Sequence, residues 1–264
     1  SFYAKAYAVK KVTSNKGKNT SGIDKKLWST SAAKMKATLT VTDKHYRAKP
    51  LRRVFIEKKG KNKKRPLGIP TMYDRTMQTL YALALEPIAE TTGDNISFGF
   101  RRGRSAKDAC EQIFCVLARK CSPTWVLEGD IKGCFDNINH NWLLENIPTD
   151  KRIMNQFLKS GFVYKGKLFP TDTGSPQGGA ISSLYANMTL DGLEKLIQDK
   201  YHRNSKGKIE NHYRAKTKVN FVRYADDFII TANTKEIAEE VKNLVSQFLK
   251  ARGLTLSEEK TMIT

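Results

Sequence analysis

The segment FVRYADDFIITA, residues 221–232, places two adjacent carboxylates, Asp226 and Asp227, between two short apolar runs. The β-branched residues of these runs predict the two strands of a hairpin. A third carboxylate, Asp130, ends another predicted strand, WVLEGDI at 125–131. Rigidly mounted aspartates can hold Mg²⁺, and two such ions about 3.5 to 4 Å apart support nucleotidyl transfer. The same residue types also occur in ordinary turns and caps, so spacing alone leaves both roles open.

The elements expected around these carboxylates mix helices with short antiparallel strands. RVFIE and PLGI flank a basic, Gly-containing stretch and predict a finger-like hairpin. Because strand and helix patterns do not alternate regularly, an α+β fold is favoured over a doubly wound sheet. Helical patterns and caps predict five helices. They are residues 31–39, DRTMQTLYALALEPIAE from Asp74, SAKDACEQIFCVLARK with Ser105 as N-cap, residues 182–203, and TKEIAEEVKNLVSQFLKARG, which ends at Gly253.

The composition indicates a polyanionic partner. The 264 residues carry a formal charge of +21, from 47 Lys and Arg against 26 Asp and Glu. Residues 1–132 hold 28 of these basic and 11 of these acidic side chains, so the first half is expected to bind the polyanion. An apolar run long enough for a bilayer and a signal peptide are both missing, which predicts a soluble intracellular protein. The four cysteines lack metal-binding spacing and are expected to be buried, reduced thiols.

Several ordered motifs resemble those of reverse transcriptases: LEGDIKGCFDNI, GSPQGGAISSLYANMTLDGLE and then YADD. More narrowly, NKGKNTSGID, KKRPLGIPTMYDRTMQTLYALALEPIAE, SFGFRRGRSAKDA and LKARGLTLSEEKT resemble the reverse transcriptase domain of group II intron-encoded proteins, the maturases. This resemblance runs from about residue 9 to the end. It implies an α+β fold with the fingers and palm of a right-hand polymerase, in which an antiparallel palm sheet packs on helices.

The resemblance also implies a domain order. Residues 1–40 would form a basic, RNA-contacting N-terminal extension, residues 41–123 the fingers with part of the interleaved palm, and residues 124–264 the palm. The thumb and C-terminal domains are expected to be absent. We therefore expect a fragment of a longer protein, which extends primers poorly by itself.

Four residues are implied at a metal site that holds two Mg²⁺ ions. Asp130 and Asp226 would be the main ligands and catalytic carboxylates, and Asp227 the supporting carboxylate. Ile131 is expected to belong to the same metal site.

Four other residues are implied at the nucleotide site. Phe135 would lie under the incoming sugar, where it would clash with a ribose 2′-OH, and Gln177 would contact the incoming nucleotide. Lys58 and Arg65 would grip the triphosphate, although Lys59 or Lys61 could take the place of Lys58. The alternative for Phe135 is a place in the core, and the alternative for Gln177 is a plain turn. The basic residues around Lys58 and Arg65 could instead be a solvated run of charges.

Contacts to nucleic acid are expected from basic residues near the N-terminus and before a helix N-terminus, where phosphate binds well. A solvated surface is the alternative for the arginines. The expected nucleic-acid-binding residues are Lys10, Lys11, Lys16, Lys18, Arg101, Arg102 and Arg104.

The function implied by the resemblance is that of an RNA-directed DNA polymerase domain that adds deoxynucleotides to a primer and binds intron RNA to assist splicing and retrohoming. Its partners would be group II intron RNA, an RNA template with a DNA primer, and dNTPs, with no membrane and a homodimer left open. The location would be the bacterial cytoplasm or an organelle. The alternatives are a catalytically idle splicing scaffold that binds intron RNA, another bacterial reverse transcriptase of the retron or diversity-generating type, and an RNA-dependent RNA polymerase.

Overall fold

The structure is a computed structural model that describes residues 1–58, 61–176, 178–204, 206–210 and 215–264, without the side chains of 58 and 61–63. The chain divides into two compact units, and each is assembled from two separate stretches. The predicted domain boundaries at residues 40 and 123 remain predictions. Unit 1 is Ser1–Ile88 with Phe135–Tyr185, and unit 2 is Ala89–Cys134 with Ala186–Thr264.

The helices of the described residues vary from one turn to six. They are α1 Phe2–Ser14, α2 Ser31–Thr40, α3 Met72–Thr92, α4 Ala106–Leu117, α5 Cys134–Asn137, α6 His140–Asn146, α7 Lys151–Leu158, α8 Ser182–Leu190, α9 Leu193–Tyr201 and α10 Lys235–Lys250.

The strands are short, apart from the first two. They are β1 Leu51–Lys58, β2 Lys61–Ile69, β3 Trp125–Asp130, β4 Phe162–Tyr164, β5 Lys167–Phe169, β6 Asn220–Tyr224, β7 Asp227–Ala232 and β8 Met262–Ile263.

Unit 1 contains a four-stranded sheet in the order β2-β1-β4-β5. The predicted finger-like hairpin is confirmed as the antiparallel pair β1 and β2. Strand β4 then joins β1 in parallel, with Leu51 opposite Phe162. The segment around β4 and β5, which the resemblance assigns to the palm, therefore pairs with the predicted fingers. Phe157 and Met154 of α7 are buried in this unit's core.

Unit 2 contains an antiparallel sheet in the order β6-β7-β3-β8. Both strands of the predicted aspartate hairpin and the strand that ends at Asp130 are confirmed. Helix α10 buries Val241, Val245 and Leu249, which recur every four residues and form its apolar stripe. Ser105 and Asp108 form the capping box that begins α4.

Two expectations are wrong. The single helix predicted over residues 182–203 is two helices, α8 and α9, because Gly192 has φ +94°, which an α-helix cannot accommodate. Of the four cysteines, only Cys134 is buried, and the other three are exposed. Cys110 and Cys115 lie on α4, but the buried positions of that helix are Ala109 and Val116, and Cys121 lies beyond its end.

A membrane span requires a helix that is both long and apolar. None of the described helices combines enough residues with enough apolar character to cross a bilayer.

Candidate active site

The two adjacent aspartates lie at a tight turn between β6 and β7. Tyr224 is paired with Asp227, which leaves Ala225 and Asp226 as the two central turn residues. Ala225 has φ +57°, whereas Asp226 is not among the residues with positive φ. This is the sign pattern of a type II′ turn, which matches the twist of a hairpin. Alanine rarely adopts positive φ, so the surroundings must hold this turn in place.

The sheet brings Asp130 to the same hairpin. Strands β3 and β7 are antiparallel, and Asp130 lies directly opposite Asp227. Directly opposed side chains point to the same face of a sheet, so the two carboxylates are neighbours. The preceding pair is Gly129 with Phe228, and a Cβ on Gly129 would come within 2.2 Å of the Phe228 ring. Only glycine lets this ring cover the strand just before Asp130.

A lysine that the sequence motifs did not predict completes this cluster. The backbone N–H of Ser257 donates to the carbonyl of Asp130 at 2.8 Å, and the N–H of Lys132 donates to the carbonyl of Thr255 at 2.9 Å. These bonds hold the chain after α10 against the end of β3. The Lys260 ammonium consequently donates to the Asp130 carboxylate.

The cluster is electrostatically crowded. Burial raises the pKa of Asp227, and the nearby carboxylates of Asp226 and Asp130 raise it further, while Lys260 opposes them. The hydrogen bond to Asp130 raises the pKa of the Lys260 ammonium. Converging carboxylates repel one another, and a cation relieves that repulsion. A cavity of about 280 Å³ lined by Asp130, Asp227, Lys260 and Tyr224 leaves room beside them.

These carboxylates fit a hard divalent cation, although the described residues do not form a finished metal cage. Among the described residues, no three His, Cys, Asp or Glu side chains are grouped closely enough to hold a metal ion. The Asp130 carboxylate accepts a hydrogen bond from Lys260. Their oxygens are nevertheless the ligand type that Mg²⁺ prefers, and Mg²⁺ retains waters at its other positions. Ile131 is buried, and its side chain cannot ligate, so only its backbone carbonyl could contribute.

Phe135 lies in unit 1, where its backbone is tied to the loop that precedes Gln177. The Phe135 carbonyl accepts from the N–H of Ser175 at 2.6 Å. Gly174, with φ +82°, could not carry a Cβ, which would lie 2.5 Å from that carbonyl. The His140 ring donates from Nε2 to the carbonyl of Gly174 at 2.6 Å. The two segments that the resemblance assigns to nucleotide binding are therefore bonded to each other.

Other predicted nucleotide contacts are only partly described. Gln177 and the side chain of Lys58 lie outside the described residues. Arg65 is exposed on β2, opposite Ile56 of β1. Burial raises the pKa of the Asp136 carboxyl, and the nearby guanidinium groups of Arg53 and Arg65 oppose that rise. The nucleotide-binding roles remain predictions.

The basic residues predicted to contact nucleic acid fall into two kinds. Lys10, Lys16 and Lys18 are exposed on α1 and the turn that follows it, and Lys11 is 3.8 Å from Glu86. Arg102 is exposed as well. The other two arginines bond within unit 2: both Arg101 and Arg104 contact the Glu90 carboxylate at 2.8 Å.

Sequence reasoning missed two charged residues that the structure places beside the aspartates. Lys260 belongs to the SEEKT segment that carries part of the resemblance, but a lysine in a solvated stretch indicates no role by itself. Arg223 lies three residues before Asp226 and is buried. The only signal for this in the sequence is its position in the pattern of strand β6. A charged residue at an inward-facing strand position is that signal.

Comparisons with known proteins identify the family. Residues 56–264 match the family described as reverse transcriptase (RNA-dependent DNA polymerase). Residues 1–41 match the N-terminal domain of reverse transcriptase. Together the two matches account for most of the chain.

Curated relatives align with nearly the whole chain. The group II intron-encoded protein LtrA of Lactococcus lactis subsp. cremoris is 34% identical over 97% of this chain and 52% of its own length. Protein YkfC of Escherichia coli (strain K12) is 30% identical over 98% of this chain and 76% of its own length. The chain thus spans about half the length of LtrA.

Solved structures agree on the fold. Telomerase from Candida tropicalis, in complex with a fragment of telomeric RNA, has a TM-score of 0.57 at 16% identity, over 83% of this chain and 41% of that chain. At this identity the similarity speaks only for the fold, which is that of a polymerase of the α+β class. The chain belongs to the reverse transcriptase family, the RNA-directed DNA polymerases, and its curated relatives include a group II intron-encoded protein.

Proposed function

We propose that this domain synthesises DNA on an RNA template within a group II intron maturase, and that the same protein binds its intron RNA to assist splicing and mobility. The observation that carries the catalytic part is the pairing of Asp130 with Asp227 beside the Asp226 turn. Together with the family match, this arrangement supports a working carboxylate site. A scaffold that only binds RNA would not need it.

Each carboxylate has a role in this proposal. Enzymes of this family use divalent metal ions, and Asp130 and Asp226 would hold two Mg²⁺ ions while Asp227 supports them. Such ions supply charge stabilisation to the attacking 3′ oxygen and the leaving pyrophosphate. Lys260 neutralises part of the carboxylate charge and so opposes the rise in the pKa of Asp227. Ile131 could add only its carbonyl oxygen.

The nucleotide would be selected by residues of unit 1. Phe135 would exclude a ribose 2′-OH, Gln177 would contact the incoming nucleotide, and Lys58 with Arg65 would grip its triphosphate. The backbone bond between Phe135 and Ser175 supports a common site, because it joins Phe135 to a residue two positions before Gln177 in the sequence.

The charge of the chain and the name of a relative support an RNA partner. LtrA is named as a group II intron-encoded protein, and the chain carries a net charge of +21. The lysines of α1 and its following turn are exposed, and they would contact phosphates, which dominate affinity for nucleic acid. We propose intron RNA, a primed RNA template and dNTPs as the partners.

The test is primer extension on an RNA template with Mg²⁺, using the native full-length protein. Asp130→Asn and Asp226→Asn should each fold and lose about 10³-fold or more of incorporation, because an amide cannot supply the charge that holds the metal. Glu111→Gln, an exposed change on α4, is the matched control and should extend normally.

The same experiment decides between the polymerase and the idle scaffold. Undiminished synthesis by either aspartate variant would remove that residue from the site. Absence of synthesis by the wild type, combined with tight binding of structured intron RNA, would favour the scaffold.

A further inference from the structure

Arg223 is the bulkiest of the fully buried side chains in the described chain, with 1% of its surface exposed. It lies on β6 directly before Tyr224, the last residue before the aspartate turn. Burying a guanidinium is costly unless it is paired and hydrogen-bonded. A reason is therefore needed for a buried cation at this place in the sheet.

The guanidinium is held by side chains at the end of α8 and beyond it. Its Nη2 donates to Asp191 Oδ1 at 2.6 Å, and its Nη1 donates to Asn187 Oδ1 at 3.2 Å. Asp94 Oδ2 lies 4.0 Å from Nη2. Asp94 also accepts from the N–H groups of Gly192 and Glu194, so it caps the start of α9. These acids connect Arg223 to the break between the two helices.

The same guanidinium reaches the turn itself. Arg223 Nη1 lies 3.4 Å from the carbonyl oxygen of Ala225, the turn residue with positive φ. The backbone of Arg223 is bonded on its outer side as well: its N–H donates to the Ile96 carbonyl at 3.0 Å, and its carbonyl accepts from Phe98 at 2.9 Å. The strand is thus fixed immediately before the turn.

Asn187 also links Arg223 to Gly99, which packs against Ala225 of the turn. Asn187 Nδ2 donates to the Gly99 carbonyl at 2.8 Å. A Cβ on Gly99 would lie 2.4 Å from the backbone nitrogen of Ala225, so Gly99 is packed directly against the turn. Asn187 therefore bonds both to Arg223 and to the backbone of Gly99, which contacts Ala225.

The energetic cost of these buried charges argues against a simple stabilising role. Burial raises the pKa of Asp191 to about 6, and burial also raises the pKa of Asp94, despite the opposing effect of Arg223 on both. Buried ion pairs of this kind often stabilise a fold less than well-packed apolar residues would. What the pairs supply is a defined geometry at an alanine turn that is strained by itself.

We propose that Arg223 is a positioning residue of the active site: held by Asn187 and Asp191, it fixes the Ala225 carbonyl and thereby the turn that presents Asp226 and Asp227. This inference rests on the proposed catalytic role of those aspartates. Arg223 itself would not touch substrate or metal. A shift of about 1 Å in a reacting group can cost on the order of 10²-fold in rate, which is why a fixed turn matters.

The test uses two changes in the native full-length protein. Arg223→Lys keeps the buried positive charge but replaces the planar fork, whose Nη1 and Nη2 reach different acceptors, with a single nitrogen. Asn187→Ala leaves the bond between Arg223 and Asp191 intact but removes the link to Gly99. Both should lower kcat by about tenfold or more and raise the Mg²⁺ concentration for half-maximal activity several-fold, with little change in the KM for dNTP.

The control is Arg252→Lys, which changes a half-buried arginine of the same unit that donates to the carbonyls of Thr189 and Phe248. It should reduce the melting temperature without changing kcat or the Mg²⁺ requirement. Binding of Mn²⁺, followed by electron paramagnetic resonance, supplies a readout that needs no activity. Arg223→Lys and Asn187→Ala should both bind Mn²⁺ several-fold more weakly than the wild type.

The outcomes separate the two proposals. Wild-type metal affinity and kcat in either folded variant would overturn the positioning role, and so would unfolding of both variants, since the network would then serve the fold. If the wild type makes no DNA, the proposed function fails, whereas the Mn²⁺ titrations of the variants still decide the role of Arg223.

Discussion

At the scale of single residues, the backbone around the aspartates depends on small side chains. Gly129 admits the ring of Phe228, and Gly99 admits the backbone of Ala225. Both approaches are closer than any side chain would allow. The carboxylates are thus placed by residues that carry no chemistry of their own.

One prediction at this scale concerns Phe135. Phe135→Val should raise the incorporation of ribonucleotides relative to deoxynucleotides, because the aromatic ring is the proposed obstacle to a 2′-OH. The measurement is the ratio of kcat/KM values for a ribonucleotide and the matching deoxynucleotide. Phe114→Ala, an exposed phenylalanine of α4, is the control and should keep the wild-type ratio. An unchanged ratio in active Phe135→Val would return Phe135 to a packing role.

At the scale of elements, the break between α8 and α9 brings Asp191 to Arg223 on β6. Residues 182–203 have the pattern of one continuous helix, yet Gly192 turns the chain and frees Asp191 to pair with Arg223. Asp94 satisfies the N–H groups that the new helix start leaves without partners. The interruption at residues 191–192 therefore accompanies an ion pair between Asp191 and Arg223.

This interruption between α8 and α9 predicts a pH dependence of stability. Burial raises the pKa of Asp191 to about 6, above the ordinary aspartate value near 4. A raised pKa means that the folded state takes up a proton more readily than the unfolded state. The resulting stabilisation is fully present below about pH 4 and is lost as the pH rises through about 6.

Asp191→Asn removes this titration, so the unfolding free energy of the wild type relative to the variant should fall between pH 4 and pH 6, by at most about 1.4 kcal/mol per pH unit. Urea unfolding of both proteins across this range measures the difference. Val245→Ala creates a cavity in the α10 core and should lower stability about equally at every pH. A pH-independent difference for Asp191→Asn would contradict the raised pKa.

At the scale of the whole molecule, the N-terminal lysines and the carboxylate cluster belong to different units of the chain. Residues 1–132 hold 28 of the 47 basic side chains, whereas Asp226 and Asp227 belong to the more balanced second half. The lysines of α1 and its following turn are in unit 1, and the aspartate cluster is in unit 2. RNA binding and catalysis should therefore respond to different substitutions.

The combined change Asp226→Asn with Asp227→Asn should leave affinity for structured intron RNA nearly unaltered, because neither carboxylate binds phosphate. Replacing Lys10, Lys11, Lys16 and Lys18 with Gln should weaken binding and reduce the salt slope by about 0.7 to 0.9 for each phosphate that is no longer neutralised. Filter binding over a salt series measures both effects.

The matched control replaces four lysines of unit 2, Lys195, Lys235, Lys242 and Lys250, which removes the same total charge. It should weaken RNA binding less than the N-terminal set does. Equal reductions in affinity from both sets would mean that net charge alone governs binding. A large reduction from the aspartate pair would contradict the separation of RNA binding from catalysis.

Local sequence patterns determined much of this protein. The aspartate hairpin, the strand that ends at Asp130 and the capping box of Ser105 were all predictable, because strand propensity, turn chemistry and capping act within a few residues. The motif order identified the reverse transcriptase family, and the charge of +21 indicated a polyanionic partner. These features need no knowledge of distant contacts.

Only the tertiary structure decided how the pieces meet. The register that sets Asp130 opposite Asp227 depends on hydrogen bonds between strands far apart in the chain. The bond from Lys260 to Asp130 and the pairing of Arg223 with Asp191 depend on which groups are brought together by the fold. A charged side chain in the sequence is expected to be solvated unless a partner offsets the cost of its burial, and that partner comes from long-range packing.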